Sequence, residues 1–512
     1  MRVSIVSPTQ AFLLDYTDEE LRLLRKELTY TNTSVKHLIK RHNGQHLWKT
    51  RNPDSWQDHL DALNADLKKC LVFEEVNPYF PEDVKYYIRP GSIPYLTDFN
   101  LQVENHINYP AFRKTPWKNP LPFTLHPEQE TSWQEFVKEK HANVNLCTGF
   151  GKSAILLKIC RETGLNTCIV VPSKSIFEEL LDSFEHHFGK KYIGAFGNGK
   201  KKLGKKITIA IGDSLANIEV GSEEHEFFSN LEMLLVDESH EFAAESLEAV
   251  CHGVLAPIPY RFFASATQIR NDGTGPLLQS IIGRTVCTLT TAEAVSKGYI
   301  CPHEFRIVSV DSSNPSDEES KESSDPLAQK RRHFLDNRNI AAFSAKLANA
   351  MAAQGRGTLI LVEELSQIAM VTSMLKVPFA IAHSEKRKDR LEEIGIPKVD
   401  SKESVEKFNK GEVKVIVGTS CIATGTNIYP CHNVVNWRGG SSPIRTKQGG
   451  VGRAVRHGHS NPWASKCHPK TLATIWDFNV LDNFTMTRHL EARIECYLES
   501  GPNLIRYIRL KT

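Results

Sequence analysis

The chain has 512 residues, 40% hydrophobic and 24% charged, the balance of a globular protein with roughly three domains at about 150 residues each. Its 63 basic and 60 acidic residues leave a net charge of +3, so bulk charge marks no partner and a charged polymer would have to be met by local patches. No run of about 18 apolar residues, no signal-peptide pattern and no CxxC occurs, which excludes a membrane span and points to a cytoplasmic protein with eleven reduced, mostly buried cysteines.

Residues 1–115 mix helical periodicity, as in TDEELRLLRKEL (17–28), with short possible strands, and predict a small α+β domain. Within it, residues 28–53 contain no acid and five cations, Lys36, Lys40, Arg41, Lys49 and Arg51. Tyr30, Trp48 and three histidines are interleaved, a mixture that suits a nucleic-acid contact. The competing reading is a plain basic surface with Trp48 in the core. The Pro-rich stretch 114–129 then marks a boundary.

Beyond it, apolar runs alternate with helical patterns. NTCIVVP (166–172), ITIAIG (207–212), EMLLVDE (232–238) and YRFFASAT (260–267) come first. TLILVE (358–363), FAIAH (379–383), VKVIVGTS (413–420) and LATIWDF (472–478) follow the acidic, serine-rich segment 311–325. Runs this apolar suit strands buried on both faces, and helical crossovers make the sheets parallel. The predicted fold class is α/β, with two tandem parallel-sheet domains after the α+β region. The divisions fall at 1–115, 116–305, an acidic linker or loop at 306–330, and 331–512.

The sharpest local signal is LCTGFGKSAILLKIC (146–160). Gly149 and Gly151 let the backbone curl so that its N–H groups face a polyphosphate, and the following helix offers its positive end. Lys152 would reach the β- and γ-phosphates and Ser153 would ligate magnesium. Leu146 stands where the full motif has glycine, and a glycine turn before an ordinary helix is the bland alternative. The second signal is LLVDESH (234–240), where a buried strand ends in two carboxylates. Asp237 would hold the magnesium shell and Glu238 would orient and deprotonate the attacking water. Taken alone, such a pair is usually a solvated strand end.

CTGFGKS, DESH, SAT (265–267) and GVGRAVRHG (450–458) occur in the order of superfamily 2 DExH-box helicases, which this chain resembles over about 120–480. The resemblance implies two RecA-like domains, ATP as the nucleotide, and Thr148, Gly149, Phe150, Gly151, Lys152 and Ser153 around its phosphates. Gln129 of LHPEQ is similar to the adenine-reading glutamine. His240, Ser265, Thr267 and Gly425 fall on motifs that couple hydrolysis to movement. Arg453 and Arg456 match the family's arginines that reach the γ-phosphate across the interdomain cleft; a surface helix with two solvated arginines is the more common fate of such a pair. Gly449 replaces the usual motif VI glutamine, with Gln448 one residue early, and Asn427 replaces a common aspartate. These departures bear on coupling rather than on the ATP site.

CTGFGKS, the stretch 417–458 and TLATIWDFNVLD (471–482) most resemble bacteriophage UvsW-type recombination helicases. That implies DNA, forked, branched or single-stranded, as partner, with unwinding or branch migration in recombination, repair or replication. RNA is the less favoured polymer, and an ATP-gated clamp without net translocation is the reading from another class. The resemblance places Ser173, Ser214, Thr419 and Ser420 along the strand path, each otherwise a routine strand-end cap. Lys200, Lys201 and Lys202 of GNGKKKLGKK (197–206) form a flexible cationic loop that would grip phosphates or simply be solvated. His457, His459, Cys467 and His468 match no common zinc spacing and read as loop residues.

Overall fold

The structure, a computed structural model, describes residues 1–115, 117, 121, 123–266, 273–312, 325–422, 427–441, 446, 451–457, 462–481, 483–498, 500–501 and 504–509. Thr267, Gly425, Gln448, Gly449, His459 and most of the acidic segment lie outside the described residues. The chain packs as two compact units, Met1–Leu146 with Lys152–Thr288, and Cys147–Gly151 with Leu289–Thr512.

The first unit opens with β1 (Arg2–Ser7) and β2 (Gln10–Leu14). A helix over Asp18–Glu27 follows, started by a capping box in which the Thr17 hydroxyl accepts from Glu20 N–H while Glu20 accepts from Thr17 N–H. Strands β3 (Thr29–Thr31) and β4 (Lys68–Cys70) pair antiparallel and close off three helices, Thr33–Asn43, His46–Arg51 and Pro53–Leu67. β5 (Phe73–Asn77), β6 (Phe80–Ile88) and β7 (Gln102–Asn105) complete a five-stranded sheet in the order β5-β6-β2-β1-β7. The apolar residues of this α+β region share a core with the rest of the unit. Val3, Leu24 and Ile88 belong to the same apolar cluster as Val170, Leu247, Leu277 and Ile281. The buried Arg89 adds a polar bolt, pairing with Glu248 and donating to Ser280 Oγ at 3.1 Å.

The large sheet of the first unit contains β8 (His141–Leu146), β9 (Thr167–Val171), β10 (Ile193–Gly197), β11 (Lys200–Lys202), β12 (Ile207–Ile211), β13 (Met233–Val236), β14 (Tyr260–Ser265) and β15 (Thr285–Leu289). Their order is β11-β10-β12-β9-β13-β14-β8-β15. From β10 to β8 every neighbouring pair is parallel, and β9, β12, β13 and β14 are buried at every residue. A parallel array sends all its strand ends to one edge, so the turns after β8, β9, β12, β13 and β14 gather there.

The second unit repeats the plan with β16 (His303–Val310), β17 (Gly357–Val362), β18 (Phe379–Ala382), β19 (Val415–Gly418), β20 (Cys431–Trp437), β21 (Ala473–Val480) and β22 (Ile505–Arg509). Their order is β18-β19-β17-β20-β21-β16-β22, all pairs parallel. All eight apolar runs read from the sequence are strands here. No helix among the described residues is long and apolar enough to cross a membrane.

Candidate active site

Strand β8 ends at Leu146, and the chain turns through residues 147–151 before a helix begins at Lys152. Gly149 (φ +88°) and Gly151 (φ +86°) both sit in the left-handed region, where a side chain would be strained. The helix Lys152–Thr163 starts directly on the turn, with its positive end toward it. Ser153, in its first turn, is half-buried.

Strand β13 delivers Asp237 and Glu238 to the same sheet edge. Glu238 is one of few non-glycine residues with positive φ (+50°). This local strain turns the chain sharply after Asp237. The turn is held by Glu238 N–H donating to Asp237 Oδ1 at 3.0 Å and by the Ser239 hydroxyl donating to Ala264 O on β14 at 3.3 Å. Ser239 was not singled out in the sequence, though its place inside DESH was the available signal.

A continuous polar chain runs from the helix to β14. Lys152 Nζ lies 3.0 Å from Glu238 Oε1. The other oxygen of Glu238 is 3.4 Å from His240 Nδ1, and His240 Nδ1 is 3.1 Å from Ser265 Oγ. Lys152, His240 and Ser265 are buried, which strengthens the Lys152–Glu238 pair and the His240–Ser265 hydrogen bond, whereas Glu238 and His240 are neighbours without a hydrogen bond between them. Burial, with Glu238 beside it, pushes the Asp237 carboxyl up to about 7 against the opposing pull of Lys152. Asp237 and Glu238 thus set two carboxyl groups beside one ammonium, and Ser153, in the first turn of the helix that Lys152 opens, offers a neutral oxygen. These hard oxygen donors fit magnesium, which takes one or two carboxylates and completes its shell with phosphate and water. No cluster of three or more metal-binding side chains occurs among the described residues, including around Cys467 and His468.

Other predicted positions are placed as follows. Gln129 is buried in the first turn of the helix Pro127–Glu139, where its Oε1 accepts from His126 N–H at 2.8 Å. Phe150 is buried and Thr148 half-buried. Ser173 caps the helix Lys174–Phe188, and Ser214 is half-buried in the helix Gly212–Ala216. In the second unit, Thr419 is buried just after β19, and Ser420 beside it is exposed. Arg453 is buried on the short helix Gly452–Ala454, and Arg456 lies two residues beyond it, so the pair does not share a helix.

The cationic loop is ordered differently from the expectation. Lys200–Lys202 form strand β11, antiparallel to β10. Lys200 pairs with Glu178 at 2.7 Å, Lys201 pairs with Glu224, and Lys202 donates to Lys190 O at 2.9 Å. In the N-terminal helices, Lys36, Lys40, Arg41, Lys49 and Arg51 are all exposed. Tyr30 is core, whereas Trp48 is half-buried with its ring 4.9 Å from that of His42.

Two family matches coincide with these sites. Residues 122–270 match the type III restriction enzyme res subunit family, and residues 339–458 match the helicase conserved C-terminal domain, together about half of the chain. The DNA 3'-5' translocase XPB2 of Sulfurisphaera tokodaii is 25% identical over 296 residues, 56% of this chain. The match spans 57% of that relative's length. A fragment of an HsdR subunit of a type I restriction enzyme from Vibrio vulnificus YJ016 shares the fold, with TM-score 0.51 at 16% identity over 75% of this chain and 67% of its own. The crystal structure of T4 UvsW aligns over 100% of this chain and 99% of its own at 15% identity, but its TM-score of 0.41 carries no argument.

Proposed function

The chain belongs to the superfamily 2 helicases, and from that premise we propose that it is an ATP-dependent DNA translocase that unwinds or branch-migrates forked and junction DNA. The observation that carries this reading is the chain Lys152–Glu238–His240–Ser265. It links the phosphate-facing lysine, the water-orienting glutamate and the strand that follows in the sheet through contacts of 3.0, 3.4 and 3.1 Å.

ATP binding gives Lys152 phosphate oxygens in place of Glu238. The Glu238 carboxylate is then available to orient the attacking water and take its proton. His240 and Ser265 register that change and pass it to β14. Ser153 and Asp237 would hold a magnesium ion, which would supply charge neutralisation at the phosphates. Arg453 and Arg456 stabilise charge developing on the γ-phosphoryl group. Gln129 serves the adenine, trading its bond to His126.

DNA as the polymer is supported by the sequence likeness to recombination helicases and by the XPB2 relative, itself a DNA translocase. Ser173, Ser214, Thr419 and Ser420 contact phosphates, and the exposed cations of residues 36–51 dock the duplex arms. The domain limits at 115, 305 and 330 follow this division of labour, with roles in recombination, repair or replication. The test is a panel of forked DNA, four-way DNA and RNA duplex with ATP and Mg²⁺. Forks and four-way junctions should be unwound or migrated fastest; faster unwinding of the RNA duplex would overturn the DNA assignment.

A further inference from the structure

Lys470 precedes β21 and is 7% exposed. Its ammonium makes no carboxylate bond among the described residues. It instead donates to two main-chain carbonyls, Arg456 O at 2.6 Å and Tyr429 O at 3.3 Å. The titratable groups around it are Cys431, Cys301, Arg456, His303 and His432. Burying an ammonium among thiols and an arginine is costly, and an apolar side chain of similar length would fill the space at less cost. What an apolar side chain would not supply is a donor to those carbonyls.

The two carbonyls belong to separate pieces of the second unit. Tyr429 lies in the stretch after Asn427 that leads into β20, 41 residues from Lys470, while Arg456 closes the arginine turn, 14 residues away. Other contacts fix the same turn. Cys301 N–H donates to Val455 O at 2.7 Å, and the His457 ring lies 2.9 Å from Gly298 O. Successive carbonyls at the end of the arginine segment are thus taken by partners distant in sequence. Lys470 also reaches the segment that leads into β20.

We propose that Lys470 is a positioning residue for Arg456, fixing the backbone of the arginine turn against the Tyr429 segment. The proposal rests on the role given above to Arg453 and Arg456. An arginine acts on a developing charge only when held to within a fraction of an ångström, and misplacement by about 1 Å costs up to roughly 100-fold in rate. A lysine that never touches the nucleotide can therefore control turnover.

The test compares full-length wild type, Lys470→Met, Lys470→Arg, Arg456→Ala and the double variant Lys470→Met/Arg456→Ala. Each is assayed for ATP turnover with Mg²⁺ and single-stranded DNA. Lys470→Met should lower kcat roughly 10- to 100-fold with little change in the KM for ATP. Lys470→Arg, which keeps the donors, should recover most of the rate. The double variant should be no slower than Arg456→Ala alone, because the lysine acts through that arginine. Wild-type kcat in Lys470→Met, or losses that multiply in the double variant, would overturn the proposal while leaving the arginine assignment standing. Undiminished turnover in Arg456→Ala would overturn both. If Lys470→Met does not melt as a folded protein, Lys470→Gln takes its place under the same criteria.

Discussion

The buried Lys152 and the half-buried Glu238 form an ion pair, with Nζ 3.0 Å from the carboxylate. The lysine expected at the phosphates and the glutamate expected at the water therefore hold one another through a short, poorly solvated contact. Glu238→Gln keeps the shape and a hydrogen-bonding oxygen for Lys152 but removes the base. It should bind ATP with near-wild-type affinity and lose at least roughly 100-fold in turnover. Equilibrium binding of a fluorescent ATP analogue, beside steady-state phosphate release, checks both halves. Lost binding would move Glu238 from water activation to nucleotide binding.

Asp237 makes stability depend on pH in a defined direction. Its carboxyl is raised from 3.8 to about 7 by burial and by Glu238. The folded state thus holds the proton more tightly than the unfolded chain. Stability from this group is complete below about pH 4 and is lost as pH rises through about 7. Asp237→Asn should accordingly melt higher than wild type at pH 8, with the difference shrinking toward pH 4, while losing ATP turnover. Thermal melts of the ligand-free protein across that range measure it, and a pH-independent difference would remove the raised carboxyl from the explanation.

Arg89 joins the α+β region to the helix that follows the DESH turn. It is buried, pairs with Glu248, donates to Ser280 and lies 4.9 Å over the Phe73 ring. Because Glu248 is a third exposed, Arg89→Met should cost about 3 kcal/mol, the low end for breaking a buried pair. Denaturant unfolding measures the loss. A loss below about 1 kcal/mol, the range of surface pairs, would show that the bolt is dispensable.

Lys200, Lys201 and Lys202 already have partners in Glu178, Glu224 and Lys190 O. The nearby acids offset part of their charge and so weaken their pull on a phosphate. Replacing all three with alanine should change the slope of log K for single-stranded DNA against log salt by at most about one, where three full contacts would change it by about two. Salt titrations of binding decide, and a change of about two would make β11 a principal part of the DNA track.

The parallel sheets were legible because their central strands are apolar on both faces, as in TCIVV and ITIAI, and such runs have few alternatives to a buried strand. β16 and β20 were not, because HEFRIVSV and CHNVVNW carry polar residues whose partners are remote. Asn433 accepts from Trp476 Nε1 at 3.0 Å, and Asn436 reaches Asp477. Arg261 is similar. Fully buried in β14, it donates to the carbonyls of Cys251, Leu255, Ala256 and Ile258, a set of contacts that no periodicity announces. At the site, residue types at motif spacing point to Lys152 and Glu238, which the fold brings to 3.0 Å of one another. Their pairing depends on the left-handed turn at Glu238, which the letters DESH do not encode. The lysine run was misread as a flexible loop because its restraining acids lie about twenty residues away on either side.

The most direct test of a DNA motor is displacement of a triplex-forming strand from duplex DNA with ATP and Mg²⁺, comparing wild type with Lys152→Ala. The wild-type chain should displace the strand in an ATP-dependent way, and Lys152→Ala should neither hydrolyse ATP nor displace it. Wild-type ATP hydrolysis stimulated by DNA but accompanied by no displacement would contradict translocation and leave an ATP-gated clamp.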